Sequence, residues 1–204
     1  NINIMDIILI CDIILDDIAI TDYENWAGDL NADGYFNIID IVAVANIILG
    51  NGLSRGDEVS DVSIQYGNSK VQLISDGMIS GMQLEVSGDF NIIDINLPIG
   101  WELYSSESTI LIFNIEGQHL SSELIFNFEG DLSIESNLVT DWYGNSLMAN
   151  LILIPDEFLL SPAYPNPFNP VTTVVFQLPE ESSVYINIYD LAGRLIETLV
   201  ESKM

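Results

Sequence analysis

Apolar residues fall into three different rhythms along the chain. Near the N-terminus, "IMDIILICDIIL" (Ile4 to Leu15) and "IIDIVAVANIIL" (Ile38 to Leu49) are almost continuously apolar, with single polar interruptions. Their lengths suit helices rather than strands, and Gly50 is placed to cap the second. In that helix Ile41, Val44, Ala45 and Ile48 make one stripe, while Ile38, Val42 and Leu49 make another. This is more apolar surface than two helices can bury against each other, so a further surface must cover it, either a neighbouring domain or a partner. After "NGLSRGD" (Asn51 to Asp57), a linker by composition, the rhythm changes to short period-2 runs: "VSIQY", "KVQLIS", "GMQLEV", "FNIIDINL", "STILIFNI", "SELIFNF", "LSIES" and "LMANLILI". About eight strands at this spacing predict a β-sandwich. Beyond Leu160, Pro162, Pro165, Pro167 and Pro170 predict an extended spacer. It leads into the strands "TTVVFQL", "SVYINIYD" and "LIETLV", the last two joined by a turn at "LAGR".

The two helical runs are copies of one unit. "NIMDIILICDIIL" aligns with "NIIDIVAVANIIL" without gaps at an offset of 34 residues, with Cys11 falling where Ala45 sits. Two copies indicate a duplicated supersecondary element. A complete loop precedes only the second copy, so the first unit is expected to be cut by the N-terminus of the chain.

Charge narrows the choice of partners. The 204 residues hold 31 Asp and Glu against 4 Lys and Arg, a net charge of −27, with 49% apolar residues. Such a polyanion repels phosphate backbones and anionic membranes, and suits divalent cations or a salty exterior where self-repulsion is screened. Asp6, Asp12, Asp16 and Asp17 break up the first apolar run, so it is not a membrane span. A single cysteine, Cys11, cannot form an internal disulfide, and there is no metal-type Cys/His cluster.

The stretch "DLNADGYFNIID" (Asp29 to Asp40) has the chemistry for a hard cation. Calcium takes about six to eight oxygen ligands at roughly 2.3–2.6 Å. Asp29, Asn31 and Asp33 alternate, so a turning backbone can aim all three inward, and Gly34 permits the sharp bend. Tyr35 would offer its carbonyl, Asn37 a direct or water-mediated contact, and Asp40 a carboxylate from the first helical turn. The pattern is D-x-[DN]-x-[DN]-G with Asp at the closing position. The alternative is an Asx-rich turn that caps a helix without metal. Asn1, Asn3 and Asp6 would form a partial second site in the first unit.

These two loop-helix units resemble a dockerin module, over residue 1 to about residue 50. The resemblance implies calcium binding and a cohesin-like partner domain, or a neighbouring domain of the same protein. The residues before each closing Asp would choose the partner: Ile4 and Met5 in the first unit, Ile38 and Ile39 in the second. "SGMQLEV" (Ser80 to Val86) and the acidic strand region after it are similar to the early strands of cohesin-like sandwiches. "YPNPFNP" with "VYINIYDLAGRLIETL" resembles the C-terminal sorting domain read by the type IX secretion system, an immunoglobulin-like sandwich here expected to be incomplete at its C-terminus. The resulting expectation is a mainly β chain with a small N-terminal α module. A dockerin-like module would span 1–52, an antiparallel cohesin-like β-sandwich 57–154, and a partial sorting domain 160–204.

Catalytic constellations do not stand out. Glu102 and Glu107 are the kind of carboxylate pair any acidic chain offers. His119 lies in a turn without a second His or a Cys, which predicts a solvated side chain. Trp101 and Trp142 could stack on a sugar, although sandwich tryptophans are more often packing residues. The expected function is therefore non-catalytic: calcium-dependent assembly in a secreted or surface-anchored bacterial protein, with an export and anchoring address read by the type IX machinery. The alternative is a set of accessory domains of a secreted glycoside hydrolase or peptidase with its catalytic domain upstream, the sandwich binding carbohydrate.

Overall fold

A computed structural model describes residues 2–16, 21, 28–50 and 59–203. Asn1 and the expected linker 51–57 lie outside the described residues. The chain forms two compact units, Asn1–Leu153 and Ile154–Met204. Among the described residues it is mainly β, with two short helices, as the rhythms of the sequence predict.

The first unit carries helices α1 (Ile4–Asp16) and α2 (Ile38–Ile48). Its nine strands are β1 (Val62–Gly67), β2 (Lys70–Ser87), β3 (Phe90–Ile95), β4 (Trp101–Ser105), β5 (Thr109–Asn114), β6 (Leu120–Gly130), β7 (Ser133–Asp141), β8 (Ser146–Leu147) and β9 (Asn150–Leu153). They form two layers, β3–β6–β2–β1–β9 and β4–β5–β2–β7–β8. The long strand β2 belongs to both. Residues 70–74 pair with β1 and β6, and residues 79–87 pair with β7 and, over 81–85, with β5. The sequence runs "KVQLIS" and "GMQLEV" are thus one strand that changes layer at a bend. "LMANLILI" is two strands, and "WELYS" is a strand the pattern did not reveal. Pairing is antiparallel except between β1 and β9, which run parallel. Val71, Leu73, Met82, Leu84, Ile110, Ile112, Phe126 and Val139 fill the interior as one apolar cluster. Alternate side chains of each strand point the same way, so period-2 sequences deliver these residues to one face.

Asp76 ties down the bend in β2. Its carboxylate accepts from the backbone N–H of Ser60 and of Asp61 and from the Ser60 hydroxyl. Those bonds, the Ser60 hydroxyl first, hold its pKa at about 2 against an ordinary 3.8. A carboxyl whose pKa is lower folded than unfolded adds stability above the unfolded value and loses it as pH falls through the folded one. The melting-temperature advantage of the parent over Asp76→Asn should therefore be constant above about pH 5 and shrink between about pH 4 and 2. Parallel thermal melts across that range test it, and an advantage that does not shrink in acid counts against this role for Asp76.

In the second unit β10 (Leu159–Leu160) pairs with β11 (Phe176–Gln177), and Tyr164 bridges to Thr173. The proline run expected as a spacer is instead the connection between two paired strands. "TTVVFQL" contributes only two residues to β11. β12 (Ser183–Tyr189) and β13 (Leu195–Lys203) form a hairpin. Its turn is closed by Asp190, whose side chain accepts from the N–H groups of Ala192 and Arg194 and pairs with the Arg194 guanidinium at 2.7 Å. Tyr185, Tyr189, Leu195, Ile196 and Leu199 of the hairpin are exposed.

Candidate metal centre and docking face

The loop from Asp29 to Asp40 folds through its own Asx side chains. Asp29 accepts from the N–H of Asp33 at 3.1 Å and of Gly34 at 2.9 Å, and Asp33 accepts from Tyr35 N–H at 2.9 Å. The amide of Asn31 donates to Asp33 at 2.7 Å and that of Asn37 at 3.4 Å. Gly34 has φ +88° with open space where a Cβ would be, so the constraint there is conformational, not steric. Tyr35 points its ring outward.

Asp40 closes the loop from inside. It is fully buried; one oxygen accepts from Leu30 N–H at 2.8 Å and the other from Asn37 N–H at 3.1 Å. Asn37 in turn accepts from Ile39 N–H at 2.8 Å, completing a reciprocal cap on α2. The first unit repeats this at equivalent positions. Asn3 N–H donates to Asp6 at 2.8 Å, and the Asn3 side chain accepts from Met5 N–H at 2.9 Å. Burial raises the pKa of Asp40, the N–H groups of Asn37, Leu30 and Asn31 oppose that rise, and the charge of Asp29 adds to it. At Asp33 burial pushes the same way, but the bonds from Asn31, Tyr35 and Asn37 prevail and lower it.

The oxygen donors are of the kind a hard cation takes. Asp29, Asn31, Asp33, Asn37 and Asp40 present only oxygen acceptors and amides. No cationic side chain relieves the three carboxylates: the ion pairs among the described residues are Arg194–Asp190 and Lys203–Glu181. The buried Asp40 with the charge of Asp29 beside it is the kind of electrostatic stress that a divalent ion offsets. No three His, Cys, Asp or Glu side chains converge among the described residues, and the loop carboxylates accept from the loop's own N–H groups.

α2 leaves this loop and lies on the outer face of the β4–β5–β2–β7 sheet. The covering surface for its two apolar stripes is thus a neighbouring part of the same chain, except at Ile48, which stays exposed. Ile38, Ile41, Val42, Val44 and Ala45 join Leu111, Phe113 and Trp142 in a second apolar cluster, together with Ile7, Ile10 and Cys11 of α1, which also packs on β5. Gly81 makes the close approach possible: a Cβ there would sit 2.9 Å from Ile38 Cγ1 and 3.1 Å from Val42 Cγ2. Two polar contacts fix the ends of the helix. Ile38 N–H donates to Gln83 Oε1 at 3.2 Å, and Asn46 Nδ2 donates to the Trp142 carbonyl at 3.2 Å. β5 is buried along its whole length because helices cover one face and the other layer covers its opposite face. Its uninterrupted "ILIF" is the signal in the sequence that could have revealed a sheet covered on both sides.

Ile38 and Ile39, expected to choose a partner, are therefore covered by the chain's own sheet, whereas Ile4 and Met5 are exposed. Trp101 and Trp142 are buried at 7% and 1% exposure, which removes both from any sugar-stacking surface. His119 is not the solvated turn residue its context predicts. It is half-buried, with its ring edge-on to Trp142 at 6.5 Å between centroids. Burial, and after it the charge of Asp12, pushes the Cys11 thiol up to about 12, so it acts as a small apolar seam residue. No described helix is long and apolar enough to cross a membrane.

Comparison with known protein families gave no match, and comparison with curated proteins gave none. Among solved structures, a similar one is the cohesin module of a family 33 glycoside hydrolase from Clostridium perfringens ATCC13124. It is 11% identical, covers 48% of this chain and 99% of its own, and has a TM-score of 0.29.

Proposed function

We propose that this chain is a non-catalytic assembly and anchoring region. A calcium-stabilised, dockerin-like helix pair clasps a cohesin-like β-sandwich in the same chain, and a type IX sorting element follows. The observation that carries this reading is the seat of α2: an all-oxygen loop feeds directly into a helix whose first residue sits over Gly81. Asp29, Asn31, Asp33, the Tyr35 carbonyl, Asn37 and Asp40 would hold Ca2+, which supplies positive charge among carboxylates that otherwise repel. With the loop held, Asn37 and Asp40 cap α2 and Ile38 stays aligned with the sheet. The second unit would supply the export and surface-anchoring address of a protein working outside a bacterial cell.

Calorimetric titration of the chain with calcium, beside Asp29→Ala/Asp33→Ala, tests the metal centre. One site in the parent and none in the variant is the expected result. A parent that binds no calcium, or a variant that binds as tightly, would leave the loop as a helix cap only.

A further inference from the structure

At the far end of β4 from Trp101, the edge strands β3 and β4 of the two layers border a cleft of about 790 Å³. One wall is the β2–β3 turn, from Val86 to Ile92, and the other is the β4–β5 turn, from Ser105 to Ser108. Both walls are fixed by bonds that leave the opening free. In the first wall Gly88 and Gly130 cross so closely that a Cβ on either would strike a carbonyl oxygen, that of Asp131 or of Asp89. Asp131 N–H also donates to the Asp89 carbonyl at 2.9 Å. In the second wall Ser106 Oγ accepts from Thr109 N–H at 3.2 Å. Val86 N–H donates to the Ser108 carbonyl at 2.8 Å and ties the walls together.

The neighbouring carboxylates are already engaged. Ser87 donates to Glu135 at 2.6 Å, and Gln83 and Thr109 donate to Glu85 at 2.9 and 3.1 Å. Asp89, Asn91, Ser105, Glu107 and Ser108 differ: they are exposed, and among the described residues their side chains hold no hydrogen bond or ion pair. Two carboxylates, an amide and two hydroxyls thus line one opening. Its floor is apolar, with Val86 buried and Phe90 and Ile92 half-buried.

We propose that this cleft binds a saccharide. Asp89, Glu107 and the net charge of −27 repel an anionic ligand. No three acidic side chains converge on a divalent cation among the described residues. An apolar ligand would strip water from the polar side chains without replacing its hydrogen bonds. A neutral polyhydroxylated ligand supplies what they lack. Its hydroxyls donate to the carboxylates of Asp89 and Glu107 and accept from the Asn91 amide and the two serines. Its C–H faces lie against Phe90 and Ile92. The volume falls within the range of about 300–1,000 Å³ for small-molecule sites, and walls fixed beforehand keep the ordering cost of binding low.

Calorimetric titration of the full chain with cellohexaose, xylohexaose, mannohexaose and N-acetylchitohexaose tests this, with hexalysine as a charge control. The parent should bind at least one of the sugars, with amide chemical shifts moving at 86–92 and 105–108. Asp89→Ala/Asn91→Ala and Ser105→Ala/Ser108→Ala should each weaken binding by about tenfold or more, as for the loss of two hydrogen bonds. Neither variant should melt below the parent, since these side chains are exposed and hold nothing. If the first does melt lower, the serine pair decides. Three results overturn the proposal: no binding of any of the sugars, binding that survives in the variants, or binding of hexalysine alone.

Discussion

Ile38→Ala is expected to lower the stability of the first unit by about 2–5 kcal/mol, the range for truncating a fully buried aliphatic side chain. Ile38 has no exposed surface and fills the depression over Gly81. Gly81→Ala alone should cost roughly 1–3 kcal/mol, because the new Cβ would press on Ile38 Cγ1 and neither helix nor sheet can retreat without opening the seam. The informative experiment is the double variant. Once Ile38 is shortened, the Cβ at position 81 enters vacated space, so the second substitution should be nearly neutral. The coupling should reach about 0.5–3 kcal/mol, as for residues in direct contact. Urea unfolding of the four chains, followed by tryptophan fluorescence, measures it. Additive losses would mean that Ile38 and Gly81 do not meet in solution.

Removing calcium should have the next largest effect. A ligand at a hundred times its dissociation constant stabilises by about 2.7 kcal/mol if it binds only the folded state. For a unit of this size that corresponds to a melting temperature roughly 5–10 °C higher with calcium than with chelator. The stabilisation should disappear in Asp29→Ala/Asp33→Ala, whose melt should be the same under both conditions. The loop already satisfies much of its backbone through Asp29, Asp33 and Asp40, so the chelated chain should melt lower without losing its helices. If chelation leaves the parent unchanged, the Asx residues act only as turn formers and caps.

Much of the architecture was legible in the residues. The offset repeat marks two equivalent helices, near-continuous apolar runs separate them from the period-2 strands, and "DLNADGYFNIID" marks a turn that hands directly into a helix. These are local facts, since backbone preferences and side-chain periodicity act over a few residues. β4 escaped because "WELYS" is a five-residue run between a Pro-Ile-Gly turn and a serine-rich one. The prolines after Leu160 read as a spacer because stiffness is local, whereas the pairing of Leu159–Leu160 with Phe176–Gln177 is not.

What the residues alone could say about α2 was that its surface must be covered. What covers it came from the fold. Hydrophobic attraction is non-directional and proportional to area, so an apolar stripe identifies a need without naming an occupant. The occupant was chosen by shape, through a missing side chain at Gly81 that lies 43 residues from Ile38 in the chain and against it in space. The same reason explains the tryptophans and His119. Composition cannot distinguish a ring turned to solvent from one turned inward, and only the stacking of helix, sheet and sheet placed Trp142 beneath α2 while leaving Ile4 and Met5 in water.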